Sequence, residues 1–387
     1  MGQVLARLFA LIGEPPVIGE VIAGILLGPS LLGEQVSARI LTPEIVEPLS
    51  AVAQIGLILY MFTVGLDLNG ALLRRRMPTA VATATGSILL PFLLGAGLAI
   101  PLFAHSAGPS ATPWSFSLFM GAAIAITAFP VLARILDDLG IAKTELGVLA
   151  LGCAAVNDVI AWCLLAVVSG VARAESGSGL PVIAGTVLYI GVMVLLVRPA
   201  VRAAGGGDGD GEPTRAATAL TLVALLLAAL ASGAIGIHVA FGAFLFGAII
   251  PHDSAVARSF IAKLEAVVAT LFLPAFFALT GMRTRIDLLS SADEWVICGV
   301  IVLVATIGKF AGACLAARVT GSGWRQAAAL GTLLNTRGLI ELIFLNVGLE
   351  LKVISPTLFS MMVVMALVTT MITAPVLRLL MRGATLD

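Results

Sequence analysis

Long apolar runs recur along the whole chain and argue against a water-soluble fold. The 387 residues are 59% hydrophobic and 11% charged, with a mean hydropathy of +1.10. Soluble domains usually carry about 25% charged residues. Because a bilayer offers no partners for backbone N–H and C=O groups, apolar runs of about 20 residues predict spanning helices. The sequence therefore predicts an all-α polytopic membrane protein.

Polar and Pro/Gly clusters divide the chain into thirteen apolar segments, which predict about 12–13 transmembrane segments. A spanning helix needs about 20 apolar residues, so the first segment is too short to cross a membrane. Either the chain begins inside a longer helix or its start codon is misplaced. The segments lie near 1–12, 16–33, 44–67, 79–103, 114–137, 144–171, 180–203, 214–232, 236–250, 256–282, 293–319, 324–348 and 354–381.

The Lys and Arg residues of the loops predict the orientation in the membrane. The loops after segments three, five, seven, nine and eleven, with the C-terminal end, hold fourteen of them, and the opposite side holds five. Cytoplasmic loops are the ones enriched in Lys and Arg. The C-terminus is therefore expected to be cytoplasmic, in a plasma (bacterial inner) membrane.

The order of the segments favours two inverted repeats. We expect repeat one at 1–172, a linking helix at 180–203, a Gly-rich cytoplasmic linker at 205–213 and repeat two at 214–382. An odd number of segments from one repeat to its counterpart inverts the topology, as in many secondary transporters.

The fifth segment of each repeat is interrupted at a corresponding place. The first reads GAAIAITAFPVLARIL, where Thr127 and Pro130 interrupt the apolar run. The second reads AALGTLLNTRGLIELIFL, with polar residues and a glycine at 335–338. Proline removes a backbone donor and glycine weakens a helix. Matched interruptions predict two broken helices that face a site in the middle of the membrane.

A charged residue lies near the centre of the apolar run 146–168. An aspartate at that depth, here Asp158, costs roughly 2.5–3.5 kcal/mol to insert, so such residues usually mark an ion or proton pathway. Burial for packing alone is the other interpretation. A carboxylate in a cavity that water reaches binds either a proton or a monovalent cation, in competition. Asn157 and Thr127 offer further oxygen ligands.

Four other ionisable residues fall in apolar segments. Arg337 and Glu341 are four positions apart, so on a helix they can neutralise one another. Glu20 is a candidate carboxylate of a cytoplasmic funnel or a hydrogen-bonding residue, and the sequence does not decide between them. Lys309 has no acid within a helical turn, and Asp158 is the best candidate for its counter-charge.

The composition also limits the other ligands. Three histidines and scattered cysteines give no zinc or iron spacing, and the zero net charge gives no sign of nucleic acid. We expect no cofactor. A membrane enzyme with acidic Mg²⁺ motifs would need a second acid-rich cluster besides Asp137 and Asp138, which are expected in a loop, so we expect no enzyme. A sodium-coupled organic-solute symporter with similar crossed helices stays an open alternative.

Four runs in the same order resemble the second monovalent cation:proton antiporter family, which includes the Kef and NapA transporters. They are ITAFPVLARIL at 126–136, AAVNDVIAW at 154–162, LFLPAFFALTGMRT at 271–284 and NTRGLIELIFLNVGLEL at 335–351. The runs NTRGLIELI and AAVNDVIAW most resemble the plant and fungal cation/proton exchanger branch of this family.

The resemblance implies the NhaA/NapA-like fold, with inverted repeats, two crossed broken helices and a core domain that moves against a dimerisation domain. It implies that Asp158 binds Na⁺, K⁺ or H⁺ and that Lys309 matches the membrane lysine of the family. Some members carry two aspartates where this chain has Asn157 and Asp158, which bears on stoichiometry. A homodimer is also implied, although the short first segment lies where relatives often have a dimer-interface helix.

Overall fold

The computed structural model describes residues 2–11, 16–66, 77–142, 144–174, 179–205, 213–236 and 238–381. Most of the predicted linker, at 206–212, lies outside these residues, as does 382–387. The helices of the described residues are α1 (Gly2–Leu11), α2 (Pro16–Leu27), α3 (Pro29–Ile40), α4 (Pro43–Leu66), α5 (Met77–Ser106), α6 (Pro113–Ala125), α7 (Phe129–Asp138), α8 (Glu145–Ala174), α9 (Gly179–Val192), α10 (Arg198–Gly205), α11 (Arg215–Ile235), α12 (Val239–Ile249), α13 (Ala255–Val267), α14 (Leu273–Arg283), α15 (Ala292–Val319), α16 (Trp324–Leu333), α17 (Leu339–Glu350) and α18 (Pro356–Met381).

The predicted fold class is confirmed. Within the described residues the chain is nearly all helical, and short π-helical turns at Met193–Val197 and Val268–Phe272 join α9 to α10 and α13 to α14. Asp137 and Asp138 end α7 rather than lying in a loop. By length and composition, eight helices of the described chain are able to cross a membrane: Glu44–Leu66, Thr79–Ser106, Glu145–Val171, Ala184–Ala203, Arg215–Ile235, Ala255–Leu288, Ala292–Val319 and Pro356–Met381.

Local sequence signals explain where several helices begin. Thr112 caps α6 through its side chain and forms a reciprocal capping box with Ser115. Ser291 and Glu294 do the same for α15. Such caps satisfy backbone N–H groups that have no partner inside the helix. They fix the first turns of α6, which ends two residues before Thr127, and of α15, which carries Lys309.

The chain forms two compact units. The first comprises Met1–Ile40, Gly70–Val168 and Thr280–Asp387, and the second comprises Leu41–Asn69 and Ser169–Leu279. The first unit contains both interrupted segments, α6 with α7 and α16 with α17, together with most of α8 and all of α15. The two sequence repeats stay a prediction, since compactness is no test of internal symmetry.

The second unit packs α4 against α12 by close contact of glycines. A Cβ on Gly65 would lie 2.3 Å from the Phe244 carbonyl oxygen, and one on Gly247 would lie 2.3 Å from the Phe62 carbonyl oxygen. Small residues at a helix contact let the two backbones approach in lipid, where association depends on van der Waals packing. These two glycines therefore allow the close packing of α4 against α12.

The first unit uses the same device to join α5 to α15. A Cβ on Gly312 would lie 2.2 Å from the Gly86 carbonyl oxygen, and one on Gly308 would lie 2.9 Å from Pro91 Cα. Lys309 lies between these two glycines on α15, and Ser87 follows Gly86 on α5. The close contact therefore fixes the depth at which both side chains enter the core of the unit.

We expect Gly312→Ala to lower the free energy of unfolding by about 1–3 kcal/mol, because the added methyl group overpacks the contact of α5 with α15. Gly299→Ala is the matched control, since a Cβ at this position of the same helix meets nothing within 4 Å. A helical Gly→Ala change at an open position is worth about 0.5–1 kcal/mol in the stabilising direction. Apparent melting temperatures of the purified variants check this, and equal shifts would contradict the packing argument.

Candidate functional site

The first break in a helix lies between α6 and α7. α6 ends at Ala125, Ile126 is extended with φ −71° and ψ 141°, and α7 begins at Phe129. The break exposes backbone groups at the end of one short helix and at the start of the next. Thr127 lies in this extended stretch, and its side chain is fully buried. The interruption predicted at Thr127 and Pro130 is therefore present at 126–128, two to four residues before the proline, which is the second residue of α7.

The second break, at 334–338, lies directly against the first. The Ala128 N–H donates to the Thr336 carbonyl oxygen over 3.1 Å. A Cβ on Gly338 would lie 2.5 Å from Val131 Cγ2, so only glycine fits this contact without a shift. The two interrupted segments therefore meet at their breaks, where each supplies irregular backbone to the other.

The Thr127 hydroxyl joins four parts of the unit. It donates to the Leu334 carbonyl oxygen over 2.9 Å, and it accepts from Asn157 Nδ2 over 3.1 Å and from Lys309 Nζ. A hydroxyl has one hydrogen and two lone pairs, so these three bonds use its whole capacity. Thr127 thus holds both breaks, α8 and α15 together.

Asp158 follows Asn157 on α8 and is also buried, with 1% of its surface exposed. Its carboxylate accepts a hydrogen bond from the backbone N–H of Phe129, the first residue of α7. The N-terminus of a helix carries partial positive charge and unpaired N–H groups, which favour an anion. Among the described residues, Asp158 Oδ1 has no hydrogen-bond partner. The site thus contains a buried carboxylate oxygen that is free to bind a ligand.

The partner of Lys309 is not the expected one, which was Asp158. Its ammonium is fully buried and donates to Thr127, and among the described residues no carboxylate lies within ion-pair distance of it. Asp158, Glu341 and Arg337 all act on Lys309 through space. Since Lys309 and Asp158 influence each other without contact, the expected ion pair is replaced by a longer-range interaction.

Arg337 holds the second break against the first. Its guanidinium donates to the carbonyl oxygens of Ala123 over 3.0 Å and Ile124 over 2.7 Å, in the last turn of α6. These carbonyls have no partner within their helix, and a cation there also complements the helix dipole. Arg337 Nη1 also lies 3.4 Å from Glu341 Oε1, with both side chains fully buried. The Arg337 N–H donates to Thr370 Oγ1 of α18 over 2.9 Å.

Glu20 stands apart from these residues. It lies in α2 and is 8% exposed, and within the described chain it makes no hydrogen bond or ion pair to the other six predicted site residues. Two neighbours on its helix, Ile18 and Val21, line a cavity of about 20 Å³ together with Arg337 and Gly338. α2 therefore approaches the second break, while Glu20 itself does not join the cluster.

The sequence interpretation missed Ser87 of α5. Asn157 Nδ2 donates to Ser87 Oγ over 3.0 Å, and the Ser87 hydroxyl is fully buried. Hydroxyl residues recur at 79, 83 and 87 in this segment, four positions apart, and therefore share one face of the helix. This periodicity is the sequence signal from which a polar face of α5 could have been predicted.

The cluster as a whole suits an alkali cation rather than a transition metal. Among the described residues, no group of three or more His, Cys, Asp or Glu side chains is placed to hold a metal ion. The available ligands are oxygens of a carboxylate, an amide and the broken backbone. Hard oxygen ligands suit Na⁺ and K⁺, and soft ligands such as thiolates select other metals.

A polytopic helical protein in which two interrupted segments meet beside a buried carboxylate has the architecture of a secondary transporter. The family comparison makes this specific. The model of the family described as sodium/hydrogen exchanger, transmembrane, matches residues 3–383, so the chain belongs to this family and is an integral membrane protein. This confirms the resemblance stated from the sequence motifs.

Curated relatives span bacteria, plants and yeast. The chain is 43% identical over 381 residues to the Na⁺/H⁺ antiporter NhaS4 of Synechocystis sp., covering 97% of this chain and 93% of the relative. It is 38% identical to cation/H⁺ antiporter 20 of Arabidopsis thaliana and 32% identical to K⁺/H⁺ antiporter 1 of Saccharomyces cerevisiae. The alignments cover 97% and 96% of this chain, but they span less than half of those two relatives, 46% and 44%. These names give the symporter alternative no support.

A solved structure shares the fold. The sodium/proton antiporter MjNhaP1 of Methanocaldococcus jannaschii superposes with a TM-score of 0.68 over 99% of this chain and 94% of that chain. The sequences are 16% identical, so this similarity shows a shared fold and nothing about function.

Proposed function

We propose that this protein exchanges a monovalent cation, Na⁺ or K⁺, for protons across a membrane by alternating access. In the proposed mechanism, Asp158 binds either the cation or the proton, in competition. The observation that carries this proposal is the buried Asp158 carboxylate, with an unpaired oxygen, where the two helix breaks meet. Relatives named Na⁺/H⁺ and K⁺/H⁺ antiporters support the class of substrate.

The charges around the site support a one-for-one exchange. Asp158 and Glu341 offer two negative charges, and Lys309 and Arg337 offer two positive charges. Binding one proton or one monovalent cation at Asp158 then gives the same net charge. A site that crosses the membrane with equal charge in both loaded states moves no net charge over a cycle. This argument requires Lys309 to keep its own proton throughout.

The bonds of Thr127 give Lys309 a role in the cycle. Because the Thr127 hydroxyl has no capacity left, a cation that is to bind Thr127 Oγ1 must first displace the Lys309 ammonium or the Asn157 amide. The ammonium is the better candidate, since it is itself a monovalent cation. In this proposal Lys309 occupies an oxygen ligand in the cation-free state and leaves it when the substrate arrives.

The remaining site residues have a structural and electrostatic part in the proposal. Arg337 and Glu341 set the local potential and hold the breaks in contact, and Glu20 serves as a funnel carboxylate on the path to the site. The oxygens offered to the cation come from Asp158, Asn157 and Thr127.

The arrangement in the membrane is also part of the proposal. We place the C-terminus in the cytoplasm because Lys and Arg are concentrated on that side, and we place the protein in a bacterial inner membrane because of its cyanobacterial relative. The two inverted repeats, 1–172 and 214–382, are proposed from the matched breaks. A homodimer in the lipid bilayer is the assembly that the family resemblance implies.

Proton flux in proteoliposomes tests the proposed function. With purified wild-type protein, an outward gradient of Na⁺ or K⁺ should acidify the lumen and an inward gradient should alkalinise it, because the proton moves against the direction of the cation. Li⁺ completes the comparison. Cation-driven proton flux without any organic solute separates the antiporter from the symporter. Absence of flux with all three cations would refute the proposal.

Lys309→Gln should move the activity profile to higher pH by about one unit. The neighbouring ammonium favours the ionised form of Asp158, so without it the carboxyl group holds its proton more tightly, and the cation competes only at lower proton concentration. The pH profile of Na⁺-driven flux measures this shift. Lys352→Gln, at an exposed position two residues after the end of α17, is the charge-matched control. An unchanged Lys309→Gln profile would assign Lys309 to another partner.

A further inference from the structure

Two hydroxyl groups hold the amide of Asn157 from different helices. Asn157 Nδ2 donates to Ser87 Oγ over 3.0 Å and to Thr127 Oγ1 over 3.1 Å, and all three side chains are buried. An amide nitrogen carries two hydrogens, so these two bonds use both. Ser87 comes from α5 and Thr127 from the first break, so the amide of α8 is clamped on two sides.

The other bonds of the hydroxyls determine which way the amide faces. Ser87 Oγ donates to the Ala84 carbonyl oxygen over 2.8 Å, and Thr127 Oγ1 donates to the Leu334 carbonyl oxygen over 2.9 Å. A carbonyl oxygen only accepts, so each hydroxyl hydrogen is committed to the backbone. Each hydroxyl therefore offers lone pairs to Asn157, and the group that faces them must be the nitrogen. This follows from the network rather than from the assignment of the amide atoms.

The carbonyl oxygen of the amide is consequently left for a ligand. Among the described residues, Asn157 Oδ1 has one polar neighbour, Ser87 Oγ, at 3.5 Å, which is the limit of hydrogen-bond length. Asp158, the next residue of α8, also has a free oxygen, Oδ1. Two oxygens with free lone pairs, on consecutive residues, suit a monovalent cation that has lost part of its water shell.

We propose that Ser87 is a positioning residue for cation binding: by accepting one amide hydrogen of Asn157, it keeps the Asn157 carbonyl oxygen directed to the substrate cation. The inference rests on the proposed function and adds to it a residue that does not itself bind the ion. The neighbouring Gly86 fixes the depth of Ser87, since its backbone oxygen would lie 2.2 Å from a Cβ on Gly312 of α15.

The chain supplies a matched control one helical turn away. Thr83 lies four residues before Ser87 on α5 and is fully buried, and within the described residues its hydroxyl has no hydrogen-bond partner. Removing that hydroxyl takes away a buried polar group of the same kind without releasing the Asn157 amide. Thr83→Ala therefore separates a loss of polarity in α5 from a loss of the clamp.

The experiment measures KM and Vmax for Na⁺-driven and K⁺-driven proton flux in proteoliposomes that contain the full chain. Ser87→Ala should raise the cation KM about tenfold with Vmax within a factor of two, because an amide hydrogen loses its acceptor and the carbonyl oxygen loses its orientation. Ser87→Cys, which keeps the size but accepts hydrogen bonds poorly, should behave alike. Ser87→Thr keeps the hydroxyl and should retain a KM near that of the wild type, as should Thr83→Ala.

A Ser87→Ala or Ser87→Cys KM within a factor of two of the wild type would overturn the inference while leaving the proposed function intact. An equal rise in Thr83→Ala would also overturn it, because the effect would then come from packing in α5. If the wild type carries no cation-driven flux, the proposed function fails first and the role of Ser87 fails with it.

Discussion

Asp158→Asn is expected to reduce cation/proton exchange to the background of empty liposomes while the protein stays folded. The change removes the carboxylate that lies at the N-terminus of α7 and replaces it with a group of the same shape. An amide neither binds a proton near neutral pH nor neutralises a bound cation. Because burial of a charge inside the membrane costs roughly 2.5–3.5 kcal/mol, the variant should be at least as stable as the wild type.

Two measurements on the same preparation check this expectation. Flux assays should give no cation-dependent proton movement, and the apparent melting temperature should be equal to or above that of the wild type. Asp287→Asn removes a carboxylate that pairs with Arg285 at a partly exposed position, so it serves as a control that keeps exchange activity. Wild-type-like flux through Asp158→Asn would remove Asp158 from the mechanism.

Arg337→Met should destabilise the protein by about 3–5 kcal/mol, the usual cost of leaving one partner of a buried ion pair alone. Glu341 would keep a buried charge with no guanidinium at 3.4 Å, and the carbonyls of Ala123 and Ile124 would lose their donor. The break at 334–338 would lose its main link to α6. We expect a large fall in the yield of monodisperse protein and in the apparent melting temperature.

Arg283 provides the matched control for Arg337. Its Nη1 lies 3.3 Å from Glu350 Oε1, a similar separation, but the two side chains are 36% and 57% exposed. Exposed pairs contribute about 0–1 kcal/mol, so Arg283→Met should have a small effect. The double variant Arg337→Met with Glu341→Gln should recover part of the loss, because the unpaired charge is gone. A stable Arg337→Met, or equal losses at both arginines, would contradict this account.

The sequence predicted the apolar segments and the two breaks because their signals are local. Apolar length, proline and polar interruptions depend on residues close together in the chain, and the spacing of Arg337 and Glu341 placed them on one helix face. The predicted segment 114–137 corresponds to α6 and α7, and 324–348 corresponds to α16 and α17.

The bonds inside the site were beyond that reasoning because they join residues far apart in sequence. Thr127 and Leu334 are separated by 207 positions, and Thr127 and Lys309 by 182. Apolar periodicity says that Lys309 is buried but not which atom it donates to, so the nearest free acid was the natural candidate. Ser87 lies in a segment without charge, and only its contact with Asn157 gives it a role.

The central claim is that one carboxylate, Asp158, binds either the proton or the cation. The most direct test is the cation KM and Vmax of proton exchange, measured in proteoliposomes at several pH values with equal pH on both sides. Competition predicts that, below the pH at which the carboxyl group ionises, KM rises about tenfold for each unit of acidification while Vmax at saturating cation stays constant. A Vmax that falls with acidification while KM stays fixed would show that protons and cations bind at separate groups.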